Sequence, residues 1–554
     1  MLKVGTVFSG IGAVEHALER LNIPFEIEFA CDNGDVDILS KPINKDILSL
    51  EYAFQELSSK VLHDETVIRN FSKNIDKLKK DILDSNIEEK LILKLYKEYA
   101  RSPYINDSQR KAYDMLLKYI KSKDAYDKKL AFIKLSVKLE ADVKRSHWNK
   151  EISSTIESYN SQYRKIIKEL NLLSEALSMA YEKINTEAIR QSVFNLTTLK
   201  EQKVYVDNLY KGSIKKNKVR ESYLANYPIH EDKFHWNVSF LDGNHYKNNI
   251  DLFVGGSPCQ SFSLVGKQRG LDDTRGTLFY EFARLISEIK PKVFIYENVK
   301  ALLSNDNGET WKTVQKIFDD LGYDWFYQIL NAKDYGIPQN RERLFVVGFR
   351  KDLEITSFSF PSSIPLERVM QDFLLDNVSG KYYLPSKGVD FVTSEKNLSK
   401  RYTQIDGDVQ LCQKKNQQFN WHGDFIFEAD DKNKESLTQD LQKYFLSEKV
   451  KKYVLSSGTK GFYSKPETDL AIARPLLQSM HKMHRAGVDN YVTTEGRLRK
   501  LTPRECLRLM GFCDSFKIVV SDTAAYQQSG NSIVVDVLMH IINKIIDVYP
   551  ELGD

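Results

Sequence analysis

The first apolar run, LKVGTVF, predicts a strand over 2–8, and SGIG follows it as a turn. AVEHALERL then carries apolar side chains at 13, 14, 17, 18 and 21, the spacing of one helix face. EIEFA predicts a second strand over 26–30, ending at Cys31-Asp32-Asn33. The three elements make a β-turn-α-β unit of the kind that opens mononucleotide-binding sheets.

From 51 to 225 the pattern changes. The stretch holds one proline, Pro103, and one glycine, Gly212, and its Leu, Ile and Tyr recur at helical spacing among Lys and Glu. It predicts long helices, as a helical hairpin or a coiled coil. Strand and helix alternation resumes near 234. Strands are predicted at 250–254, 292–296, near 326–330 and at 344–349, with helices over 276–289 and 309–321. Residues 351–490 mix short aromatic and polar segments such as KYYLPSKGVDFV and FNWHGDFIFEAD, the texture of a loop-rich second domain. TPRECLRLMG starts a helix, with Thr502 as cap and Pro503 as first residue, and a last helix is predicted over 532–548.

Composition narrows the class. The chain has 554 residues, room for two or three domains, and a net charge of only +4, so no global basic field marks a nucleic-acid partner. Locally the charge is uneven. Residues 51–225 carry 34 Lys and Arg against 25 Asp and Glu, and KGSIKKNKVR (211–220) has five positive residues and no acid. That segment is either a solvated helix end or a phosphate-contacting patch. The five cysteines, at 31, 259, 412, 506 and 513, form no CxxC pair, which argues against a disulfide framework and for a reducing compartment. No His or Cys set has zinc-ligand spacing, so no metal is expected. No apolar run reaches the roughly 18 residues of a membrane span. The first residues enter a strand with no leader pattern, and a soluble cytoplasmic protein is expected.

One cysteine stands apart. Cys259 lies in GGSPCQSFS (255–263), on a loop at the carboxyl end of the predicted strand 250–254, where ligands and chemistry collect in open α/β sheets. Most free cysteines are buried and inert, so the loop alone does not make a nucleophile. The motifs around it decide the matter. In order they are FSGIG (8–12), GGSPCQSFS (255–263), GKQRGLDDTRGTLFYE (266–281), ENVKALL (297–303), QNRER (339–343), RKLTPRECLRLMGF (499–512) and QSGNSIVVDVL (528–538). This series resembles the DNA (cytosine-5)-methyltransferase family of the bacterial and phage restriction-modification type. The resemblance covers about 1–50, 234–350 and 495–554.

The resemblance implies an α/β, Rossmann-like, S-adenosylmethionine-dependent methyltransferase domain built from 1–50, 226–350 and 521–554. A small loop-rich target-recognition domain would fill 351–520, and 51–225 would be a long helical insertion. Cytosine C5 is a poor nucleophile, and a thiolate added at C6 turns the ring into an enamine that attacks an electrophilic methyl group. The family assigns that thiolate to Cys259. Glu297 would contact N3 and the exocyclic amine, protonated so that it can donate, which needs a raised pKa. Arg341 and Arg343 would surround the base O2, the catalytic loop and nearby phosphate, where rigid charged forks suit the task.

S-adenosylmethionine is the implied methyl donor. Phe8, Ser9, Gly10, Ile11 and Gly12 would line its site, Asp32 would hold the ribose hydroxyls, and Thr277, Leu278, Asn531 and Ser532 would close it. Two positions depart from the family pattern. Asn237, with Asp242 further on, stands where an Asp usually binds the adenine amine, and Asn33 replaces a large apolar side chain that often stacks on adenine.

Double-stranded DNA is the implied substrate, its target base flipped out of the stack. Gln260, Ser263, Lys267, Gln268, Arg269 and Gln339 are the expected DNA contacts of the core, with Gln260 or Gln268 filling the vacated space. In the recognition region Lys482, His484 and Arg485 are chosen for their fit to phosphates and major-groove edges. A cognate restriction endonuclease is the expected genetic partner, and an orphan enzyme is the alternative. The helical insertion reads as a DNA clamp, a dimer or partner coiled coil, or a spacer, and the oligomeric state stays open. A tRNA-methylating branch shares these motifs but has a short recognition region, and the 140 residues of 351–490 favour DNA. A thymidylate-synthase-like enzyme would need neither FSGIG nor GNS, and a silent binding module would not keep Cys259, Glu297 and Arg341 together.

Overall fold

The computed structural model describes residues 1–60, 65–121, 124–146, 150–257, 277–375, 380–384, 386–415, 417–428, 497–500 and 502–553. The chain forms two compact units, Met1–Val36 with Thr198–Asp554, and Asp37–Thr197.

The first unit is built on a seven-stranded sheet. Its strands are β1 (Leu2–Val7), β2 (Phe25–Cys31), β3 (Phe234–His235), β4 (Leu252–Gly255), β5 (Val293–Val299), β6 (Tyr323–Asn331) and β7 (Glu342–Arg350). They lie in the order β3-β2-β1-β4-β5-β7-β6. The neighbours from β3 to β5 are parallel, while β7 runs antiparallel to both β5 and β6. Strands buried on both faces read as continuous apolar runs, which is why LKVGTVF, IDLFV and KVFIY were legible as strands. Alternation sends Val4, Ile27, Val254, Ile295 and Val347 to one face, packed with the helices Ala13–Arg20 and Val535–Val548. Val7, Phe29, Phe253, Phe294 and Val346 face the other way, against Thr277–Ile289 and Glu309–Asp320. One cross-sheet row, Cys31–Val7–Gly255–Tyr296, marks the carboxyl edge of the four central strands. The chain reverses strand order on either side of β1, so that edge is a topological switch point.

The region expected to be loop-rich contains a second, three-stranded sheet of β8 (Thr403–Ile405), β9 (Gly423–Glu428) and β10 (Arg497–Lys500), in the order β10-β9-β8. Thr502 caps the helix Pro503–Arg508 in a capping box with Glu505. Cys506, Leu507, Leu509 and Met510 bury themselves in the main sheet's core.

The second unit is helical, with helices Ile47–Lys60, Glu65–Asp84, Glu89–Ala100, Asp107–Ile120, Ala125–Ser146 and Lys150–Phe194. The last has 45 residues, which at 1.5 Å per residue is about 68 Å. It is pinned inside the unit by polar groups as well as apolar ones. Buried Asn160 donates to Glu140 at 2.7 Å and accepts from Ser136 at 2.7 Å, and Arg164 also holds Glu140 at 2.7 Å. The unit's boundaries differ from the expected insertion 51–225. Helices Leu199–Tyr210 and Lys218–Asn226 group with the first unit, where Tyr223 and Tyr227 join the sheet's core.

Candidate active site

The turn after β1 is built to leave room. Phe8 has φ 53°, a conformation that side chains rarely adopt, and Gly10 and Gly12 follow at φ 55° and 80°. Among the described residues, a Cβ on Gly10 would meet only the Phe8 carbonyl, at 3.9 Å. Ser9 fixes the turn to β2: its Oγ accepts from the Cys31 N–H at 3.0 Å and shares a hydrogen bond with Thr6 Oγ1 at 2.8 Å. Ile11 is buried beneath it. Asp32 lies beside the turn. Its carboxylate accepts from the N–H of Gly10 at 2.9 Å and of Gly34 at 2.8 Å, and burial holds its pKa above the ordinary range despite those two bonds.

Glu297 stands on the same edge of the sheet. Its Oε1 lies 3.1 Å from Arg343 Nε, and both side chains are mostly buried. Burial raises its pKa, with Arg343 and then Arg341 pulling against that. Beside it, Asn298 Nδ2 donates to Tyr296 OH at 2.7 Å, and Tyr296 OH shares a hydrogen bond of 2.7 Å with Ser257 Oγ. Ser257 is thus anchored two residues before Cys259. Cys259, Gln260, Ser263, Lys267, Gln268, Arg269, Lys482, His484 and Arg485 lie outside the described residues.

The two arginines of QNRER do different things. Arg343 turns to Glu297. Arg341 is buried, and its guanidinium donates to the carbonyls of Gln413 at 2.9 Å, Gly530 at 3.2 Å and Ser532 at 2.9 Å. Gln339 completes this hub: its Nε2 donates to the Leu509 carbonyl at 2.8 Å and its Oε1 accepts from the Gln413 N–H at 3.2 Å. Gln413 in turn donates to Ser529 Oγ at 2.6 Å. The arginine motif, the GNS motif and the segment 410–413 are therefore one hydrogen-bonded body. The sequence reading missed the last of the three. Cys412 within it lies 4.0 Å from Arg341 Nη1. Burial would raise its thiol pKa, but Arg341 and Arg343 outweigh that and hold it below the usual value.

The remaining positions are less direct. Leu278 packs against the core behind β4, and Thr277 begins its helix. Ser532 is buried with its carbonyl on Arg341, while Asn531 is exposed at the end of the helix Asp522–Asn531. Asn237 follows β3. Its Oδ1 accepts from the Ser239 N–H at 2.9 Å and its Nδ2 donates to Tyr210 OH at 3.3 Å, so the carboxamide is engaged locally, with one lone pair of its oxygen to spare. Tyr210 stacks on Trp236, with ring centroids 4.7 Å apart and planes at 7°. Asp242 caps the next turn through the Asn244 N–H. In the basic segment 211–220, Lys218 pairs with Glu221 at 2.7 Å and Arg220 with Glu231 at 2.5 Å. Among the described residues no cluster of His, Cys, Asp and Glu could hold a metal ion, and no helix is long and apolar enough to cross a membrane.

Comparison with known proteins gives the family. The family model described as C-5 cytosine-specific DNA methylase matches residues 201–547. Type II methyltransferase M.HhaI of Haemophilus parahaemolyticus is 34% identical over 53% of this chain and 75% of its own length. Type II methyltransferase M.HpaII of Haemophilus parainfluenzae is 33% identical over 55% and 74%. Orphan methyltransferase M.SPRI of Bacillus phage SPR is 28% identical over 59% and 90%. With the family model spanning more than half of its length, the chain belongs to the C-5 cytosine-specific DNA methylases and is a DNA (cytosine-5-)-methyltransferase.

Proposed function

We propose that the chain methylates C5 of cytosine within one short sequence of double-stranded DNA, through a covalent bond between Cys259 and C6 of a flipped base. The observation that carries this reading is Glu297. Its carboxylate is buried, paired with Arg343, and so close to Gly256 that a Cβ there would lie 2.9 Å from Oε2. It thus sits against the strand end that leads into Cys259, three residues on. Protonated Glu297 would donate to N3 as the Cys259 thiolate adds to C6, so that the electrons displaced from the ring are neutralised where they arrive. C5 then takes the methyl group, loses its proton, and the thiolate leaves C6. Arg343 orients Glu297, and Arg341 with Gln339 holds the wall behind it.

Methyltransferases of this family use S-adenosylmethionine, which supplies an electrophilic methyl group when bound. The residues present fit it. The backbone at Gly10, open among the described residues, and the carboxylate of Asp32 beside it suit a ligand with a ribose, and Ser532 and Leu278 would close the site. Asn237 can accept from the adenine amine with its spare lone pair. Gln260, Ser263, Lys267, Gln268 and Arg269 would close over the flipped base. The three-stranded sheet and the segment carrying Lys482, His484 and Arg485 would read the target. Protection of host DNA from a cognate endonuclease is the proposed role, in line with the type II names of the two Haemophilus relatives.

The test is bisulfite sequencing of DNA from cells expressing the wild type or Cys259→Ser. Protected cytosines in one short motif, only with the wild type, support the reading. Full conversion everywhere, from a protein that folds and binds S-adenosylhomocysteine, counts against DNA as substrate and directs attention to RNA. Wild-type levels of protection with Cys259→Ser would remove Cys259 from the mechanism.

A further inference from the structure

We propose that Asn217 and the helix it caps, Lys218–Asn226, form the positioning element of the methyl-donor site. The inference rests on the reading of that site given above. None of these residues belongs to a motif that assigned the site.

The helix touches all three chain segments that would hold the donor. At the glycine turn, Tyr227 OH donates to the Gly12 carbonyl at 2.7 Å, and its ring fills the space a side chain on Gly12 would occupy. One turn earlier, Tyr223 OH donates to Glu15 Oε1 at 2.5 Å. Glu15 is buried in the first turn of the helix that Gly12 caps, and it also accepts from Thr6 in β1 at 3.2 Å. At the acidic loop, Asn217 is buried and its Nδ2 donates to the Asp32 carbonyl at 3.0 Å, with its carboxamide packed on Gly34. At the third segment, Ser222 Oγ donates to Gln528 Oε1 at 3.0 Å, and Gln528 Nε2 donates to the Lys218 carbonyl at 2.7 Å. Gln528 lies in the helix that ends at Asn531.

These partners are up to about 500 residues apart in sequence, and the helix bonds each of them. Its contacts fall on backbone carbonyls and on side chains that fix backbone: Gly12 O, Asp32 O and the helix Asp522–Asn531. Shifting the helix therefore shifts the turn, the acid and the closing segment together. Asn217 has two separable jobs. Its Oδ1 caps the helix by accepting from the Arg220 N–H at 2.8 Å, and its Nδ2 ties Asp32. Serine can cap but is too short to reach Asp32.

The experiment is calorimetric titration of the full-length protein with S-adenosylhomocysteine, beside anisotropy titration with a fluorescent duplex carrying the target site. Asn217→Ser and Tyr227→Phe are compared with the wild type. Loss of one positioning hydrogen bond should weaken S-adenosylhomocysteine about tenfold in Asn217→Ser, with Tm within about 2 °C of wild type and duplex affinity within about twofold. Tyr227→Phe, which keeps the ring and loses only the hydroxyl, should weaken it in the same direction. Unchanged S-adenosylhomocysteine affinity in both variants overturns the proposal, as does a parallel loss of duplex affinity. A wild type that binds no S-adenosylhomocysteine overturns the donor-site reading itself, and this inference with it.

Discussion

Gly256 and Glu297 are in such close contact that no larger residue fits between them. A Cβ on Gly256 would approach Glu297 Oε2 at 2.9 Å and the Glu297 carbonyl at 3.0 Å. The carboxylate can swing away but the carbonyl, in a central strand, cannot. Gly256→Ala is therefore expected to displace the acid and slow turnover by about 10- to 100-fold, because misplacement of this size costs that much in reacting geometry. Single-turnover rates with saturating duplex would check it. A rate within twofold of wild type would mean that the Glu297 position does not control the chemistry.

Arg343 sets where Glu297 titrates. Burial raises the carboxyl pKa and Arg343 is the strongest influence opposing it. Removing the guanidinium in Arg343→Ala should raise that pKa further. A step that needs protonated Glu297 is lost as pH rises through its pKa, so the alkaline limb of the pH–rate profile should move to higher pH while the maximal rate falls. A limb that stays in place or moves down would assign it to another group.

Arg341 is expected to matter for the fold as much as for the reaction. Its fork serves three carbonyls, from Gln413, Gly530 and Ser532. A lysine ammonium cannot span that geometry. Arg341→Lys should cost about 3 kcal/mol, since buried carbonyls left unpaired cost about 1–3 kcal/mol each. Urea denaturation followed by tryptophan fluorescence measures it, and a loss below about 1 kcal/mol would contradict the hub.

Asp424 on β9 gives the second sheet a pH dependence. Its carboxylate accepts from the Leu411 N–H at 3.1 Å and from Gln404 Nε2 at 3.0 Å, and burial pushes its pKa up to about 7. A raised folded-state value means that stability present below the ordinary carboxylate range is lost as pH rises through about 7. The melting temperature of the wild type should fall relative to Asp424→Asn between pH 4 and pH 7.5. Parallel curves for the two proteins would show that Asp424 does not titrate there.

Much of this was legible in the sequence, for definite reasons. Strands such as Leu252–Gly255 are buried on both faces and leave unbroken apolar runs, and Thr502 with Pro503 announces a helix start. Glu297 was found through the ENVKALL motif that the family resemblance rests on, and it lies inside β5 rather than after it. Other features left no local trace. β3 is two residues long, and β8 is Thr403–Ile405, too short for a pattern. The three carbonyls on Arg341 come from positions 72 to 191 residues away, so only the fold reveals them. Tyr223 and Tyr227 did leave a signal, two aromatics spaced i, i+4 shortly after a capping asparagine, but Tyr223 was read only as the end of a long helical stretch and Tyr227 fell just beyond it.

The pairing of β1 with β4 has a consequence for how the protein is made. Val4 lies opposite Leu252 in the register, so β1 leaves the ribosome 248 residues before its partner. At roughly 5–20 residues per second that is a delay of roughly 12 to 50 s. During it, β1 and β2 can form only the edge of a sheet, while all of Asp37–Thr197 is synthesised with its own apolar cores. The helical unit can thus complete its folding while the catalytic sheet still waits for its middle. Its speed and solubility then set how long an unpaired edge strand stays exposed in the nascent chain.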